Sequence, residues 1–116
     1  MKAEKQIIEL TDLIREYYAC AVNDGNKLNE LLKKITALLF YLTTVRAEFH
    51  DEFQTYIFNK TKDKGVSVAR AENEAHVAYP MMYRLRHALD AANEVVGAIR
   101  TNISYLKKEY EWSKNN

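Results

Sequence analysis

LRHALDAANEVVGAIRTNISYLKKEY, residues Leu85 to Tyr110, decides the fold. Within it Leu85, Leu89, Ala92, Val96, Ile99, Ile103, Leu106 and Tyr110 follow one another in alternating steps of four and three. That spacing draws a single apolar stripe along a helix, and its sustained repetition is a heptad seam that packs against a neighbouring helix. Ala88, Ala91, Gly97 and Ala98 flank the seam, and small residues let another backbone come near. A glycine inside a helix costs about 1 kcal/mol relative to alanine, so Gly97 is predicted to mark a close helix crossing.

Working back along the chain, Pro80 disfavours the helical region at Tyr79, which predicts a kink or short break before a last helix over about 80–113. A helix over about 67–79 precedes it, with Ser67 as N-cap and Val68, Ala71, Ala75 and Ala78 turned inward. Thr61 to Gly65 forms the turn before that. Upstream, Leu28, Leu32, Ile35, Leu39, Leu42, Val45, Phe49, Phe53 and Tyr56 keep helical spacing through one long helix over about 26–62, widened by Leu31, Leu38, Phe40 and Ile57. The first helix, about 4–22, carries Ile7, Ile8, Leu10, Leu13, Ile14, Tyr17, Tyr18 and Ala21. Asn23-Asp24-Gly25-Asn26 is expected to stop it, because Gly and Asn are the residues that tolerate a left-handed C-terminal cap.

The composition agrees. The chain has 116 residues with only 3 glycines and 1 proline, while 47% is hydrophobic and 28% charged. A β-sandwich needs a turn roughly every 8–12 residues, and a dinucleotide fold needs a glycine-rich phosphate turn, so both are excluded. The expected fold is a single all-α domain over 1–116: long antiparallel helices in a hairpin or bundle, kinked at Pro80. Seams this long for so small a chain imply completion by homo-oligomerisation.

Lys+Arg total 17 against 16 Asp+Glu, so no net field announces a polyanionic partner. A single cysteine, Cys20, rules out an internal disulfide and reads as a small core residue in a reducing, cytoplasmic compartment. The first eighteen residues carry charges inside their apolar stretch, unlike a secretory signal, and Ile35–Val45 is far short of the ~20 residues of a membrane span.

Chemistry has few candidates. Glu72 and His76, and Arg46 and His50, stand four apart, and His87 lies near Asp90 and Glu94, but no Glu-x-x-His pairs occur for a dinuclear centre. The three histidines read as surface or capping residues. No catalytic motif, cofactor or metal is expected, so the chain reads as a non-enzyme.

Cations carry the stronger signal. Arg86, Asn93, Arg100, Lys107 and Lys114 recur every seven residues beside the seam, one about every 10 Å at 1.5 Å per residue. Such a line can follow phosphates, or it can form a rail of salt bridges with another helix. Tyr105 and Trp112 stand seven apart with Lys108 between them, an interleaving of rings and cations suited to stacking unpaired bases. The same rings equally suit a contact between subunits or with the first helix. A second basic group, Lys60, Lys62, Lys64 and Arg70, surrounds the turn after the long helix.

From about residue 45 to 108 the order of features is a long helix ending in Phe53, Tyr56 and Phe58, a charged turn Lys62-Asp63-Lys64-Gly65, a Ser67-led helix rich in alanine and charge, and a long helix with small residues and a late cation. This layout resembles the UvsY family, the recombination mediators of T-even phages. The resemblance implies a helical protein that assembles into rings, binds single-stranded DNA and helps load a recombinase in the bacterial host's cytoplasm. It carries the phosphate-binding role to Lys60, Lys62, Lys64, Arg70 and Arg100. The alternative from a different class is a helical adaptor or inhibitor that binds a host or phage protein and no nucleic acid.

Overall fold

The computed structural model describes residues 3–115, the side chain of Asn115 excepted; Met1, Lys2 and Asn116 of the expected domain lie outside the described residues. Four helices follow in order, α1 (Glu4–Ala19), α2 (Gly25–Asp63), α3 (Val68–Ala78) and α4 (Met81–Asn115), with no strand among the described residues.

The local chemistry of each boundary explains its position. α1 stops at Ala19, three residues before the expected Val22, because Cys20 turns extended (φ −85°, ψ 156°) while its N–H still bonds the Tyr17 carbonyl. Gly25 supplies no left-handed cap. It is the first residue of α2, whose start is held by Asp24 accepting from the Lys27 N–H at 3.0 Å. Gly65, by contrast, does take a left-handed conformation (φ 64°) after α2. Ser67 accepts from the Arg70 N–H at 3.3 Å to open α3, and Tyr79 and Pro80 separate α3 from α4.

α2 and α4 lie antiparallel, so that Leu106 near the end of α4 comes within 3.9 Å of where a side chain on Gly25 would begin. α1 packs on both of them. Lys27 lies 3.6 Å from Glu16 across α2 and α1, Arg84 lies 3.8 Å from Glu4 across α4 and α1, and Asn102 donates to the Tyr17 hydroxyl at 3.4 Å. Inside this three-helix section lie Ile7, Leu10 and Leu13 of α1, Leu28, Leu31, Ile35, Leu42 and Val45 of α2, and Leu85, Leu89, Ala92, Val95, Val96 and Ile99 of α4. Each fully buried leucine or isoleucine contributes about 1.5–3 kcal/mol relative to exposure. Cys20 is half-buried against the same core.

Beyond this section α2 continues with only α3 folded back on it, anchored by Phe53, Ala71 and Ala75. The result is a rod of 72 × 24 × 19 Å. Its radius of gyration, 19.7 Å, far exceeds the roughly 13 Å of a compact chain this long.

Several residues expected inside are outside. Ile8, Tyr18, Phe40 and Val68 are exposed, as are Ala21 and Ala78, because each sits on the far edge of its stripe or past the end of its helix. The heptad seam is buried from Leu85 to Ile99 and half-buried at Ile103 and Leu106, but Tyr110 is 68% exposed. α4 simply outruns its neighbours there. Among the described residues no helix of the chain crosses at Gly97, which is exposed with nothing within 4 Å of an added Cβ. No described helix is long and apolar enough to cross a membrane.

Candidate nucleic-acid interface

α4 brings the candidate residues together because it is longer than the bundle that holds it. Its buried stripe locks the helix against α1 and α2 up to Leu106, and residues 107–114 are then all exposed. Of the basic line, Arg86, Arg100, Lys107 and Lys114 are exposed, and none forms an ion pair with another described residue. No salt-bridge rail therefore forms among the described residues. From Arg100 to Lys114 there are four cations against two carboxylates, Glu109 and Glu111. The cations near the C-terminal end of α4 also oppose the negative pole of the helix dipole, which favours them there by about 0.3–1 kcal/mol each.

Of this line, Arg100 alone shares a depression with either Tyr105 or Trp112 among the described residues. Tyr105, Lys108 and Trp112 line one shallow depression with Glu109 and Ser113, and Arg100, Thr101 and Ser104 share a second one with Tyr105 and Lys108. Tyr105 is 63% and Trp112 70% exposed. Their wide exposure on a helix otherwise held by its apolar face leaves ring surface accessible to a planar ligand, with cationic side chains alongside.

The turn after α2 is arranged differently. Lys60 and Arg70 both approach Glu74 of α3, at 3.5 and 3.3 Å, so one carboxylate takes two of the four cations. Lys60 also lies 5.4 Å from the Tyr56 ring centroid, and Lys62 5.2 Å from that of Phe58. Of the four, only Lys64, the C-cap of α2, makes neither kind of contact with another described residue. Periodicity and charge runs do not single out Glu74. Its i,i+4 spacing from Arg70 is the signal that finds it.

Arg86 belongs with a third place. It lines a cavity with Arg46, His50, Phe53, His76 and Tyr83, where α2, α3 and α4 meet. Reading His50 and His76 as surface or capping residues misses this convergence, because nothing in the spacing along one helix tells which residues of another will face it. Among the described residues no three or more His, Cys, Asp or Glu side chains cluster so as to hold a metal ion. No protein-family model, curated protein or solved structure matches the chain.

Proposed function

We propose that the chain is a non-enzymatic protein that binds single-stranded DNA along the exposed end of α4. The observation that carries this reading is the common depression of Tyr105, Lys108 and Trp112, with Arg100 in the adjoining one. Bases stack on the two rings, each stacked base contributing about 1–3 kcal/mol, while the cations neutralise the intervening phosphates. Because any base offers a flat face, recognition is independent of sequence. By its resemblance to the phage recombination mediators, the protein acts on a recombinase in the host cytoplasm and assembles from several copies, which align their α4 ends into a longer track.

Fluorescence anisotropy of a labelled oligonucleotide tests this reading. Binding at about 50 mM salt that weakens steeply toward 200 mM supports it, and no binding at the lower salt removes it.

A second reading, a helical adaptor or inhibitor that binds a host or phage protein, is favoured by Phe40 and Val77, which are 81% and 83% exposed and stand away from the α4 end. Under that reading a partner recovered from lysate survives nuclease treatment. Loss of every partner after nuclease argues against it.

A further inference from the structure

The cavity between α2, α3 and α4 gathers basic groups from all three helices: Arg46 and His50 of α2, His76 of α3 and Arg86 of α4. No carboxylate lines it. This contrasts with the turn a short distance along α2, where Glu74 is interposed between Lys60 and Arg70. In the cavity neither arginine forms an ion pair with another described residue. Two guanidinium groups brought to one concavity without a counter-charge repel each other, and an anion between them reverses the sign of that interaction.

One of these groups is also held in place by ring contacts. The His76 ring lies between two others, 5.0 Å from the Phe53 centroid and 4.5 Å from that of Tyr83. Its Nδ1 is buried and has no hydrogen-bond partner, so this corner is not a self-satisfied polar network. Phe53 is itself buried on α2, which fixes the stack. Arg46 and His50 are one turn apart on α2, so both project to the same side.

Size narrows the ligand. The cavity holds about 230 Å³, below the roughly 300–1,000 Å³ of sites that enclose a whole small molecule. It suits one compact group. Guanidinium forks match the oxygens of a tetrahedral oxyanion two at a time, and imidazole N–H groups add single donors. We propose that this cavity binds a phosphate-type oxyanion, either free or as the terminal monoester of a larger molecule whose remainder stays outside. The inference does not depend on the single-strand reading, with which it shares only Arg86.

The test is a titration of the full chain at low salt with inorganic phosphate and, separately, with glycerol phosphate as a monoester, followed by NMR of the histidine rings. Saturable shifts of His50 and His76, larger than those of His87, are expected with a Kd of about 1 mM or tighter. The double variant Arg46→Gln/Arg86→Gln weakens binding by about tenfold or more, whereas Lys33→Gln, which removes an exposed cation elsewhere on α2, leaves it unchanged. Both replaced arginines are exposed, and circular dichroism checks that the helices persist. Should the double variant unfold, each single variant is compared with Lys33→Gln in its place. Tighter binding of glycerol phosphate than of phosphate identifies a monoester ligand, and the reverse identifies the free ion. Unsaturable shifts with both compounds, or equal weakening by Lys33→Gln, overturns the proposal.

Discussion

Lys60 on α2 lies 3.5 Å from Glu74 on α3, and the same carboxylate is 3.3 Å from Arg70. This clamp ties the short α3 to the unsupported end of α2, next to the Phe53 anchor. Glu74→Gln leaves two cations side by side without their counter-charge. The side chains are about a third exposed or less for Lys60 and Glu74, at 26% and 32%, so the expected loss is modest, about 1 kcal/mol. Phe53→Ala removes the buried ring and costs more, about 3–5 kcal/mol. In hydrogen exchange both variants speed α3 before the three-helix section. Uniform acceleration over all four helices contradicts this division of the rod.

The seam of α4 supports a sharper comparison. Ile99 is fully buried, at 0% exposure, and Tyr110, eleven residues further along the same stripe, is 68% exposed. Ile99→Ala lowers stability by about 2–5 kcal/mol. Tyr110→Ala changes it by no more than about 0.5 kcal/mol. Denaturant unfolding of the two variants decides the point, and comparable losses would place Tyr110 in a packed interface.

Gly97 gives a prediction of the opposite sign to the one its sequence suggests. It lies within α4, faces solvent, and has room for a Cβ. Gly97→Ala therefore stabilises the chain by about 0.5–1 kcal/mol through the lost freedom of the unfolded state. A lower melting temperature, or a change of oligomeric state in analytical ultracentrifugation, would put another copy of the chain against that face.

The helices were largely legible in the sequence because periodicity is a property of one segment at a time. Leu85 to Ile99 could be read as a buried stripe without knowing the partner, and Ser67 as a cap from its place before an alanine-rich run. What failed depended on lengths and neighbours. Tyr110 keeps the repeat but has no helix left beside it, and Phe40 lies on the margin of a stripe whose width is set by how many helices cover it. Gly97 reads as a crossing point because a mid-helix glycine usually has a packing reason, whereas its surroundings among the described residues are open. The candidate site divides along the same line. Tyr105, Lys108 and Trp112 share a helix, so their proximity followed from spacing alone. The pairing of Lys60 with Glu74 and the meeting of Arg46 with His76 and Arg86 join separate helices and needed the fold.

The central claim, that the end of α4 is the nucleic-acid surface, is tested most directly by oligonucleotide anisotropy across a salt series with two variants of equal charge change. Arg100→Gln/Lys107→Gln/Lys108→Gln removes three cations of the α4 end, and Lys60→Gln/Lys62→Gln/Arg70→Gln removes three from the turn after α2. With about 0.7 counterions released per phosphate contact, the α4 variant is expected to lose about 2 from the slope of log affinity against log salt, and most of its binding at about 100 mM. The turn variant keeps nearly the full slope. Equal loss of slope in both, or a greater loss in the turn variant, would contradict the account.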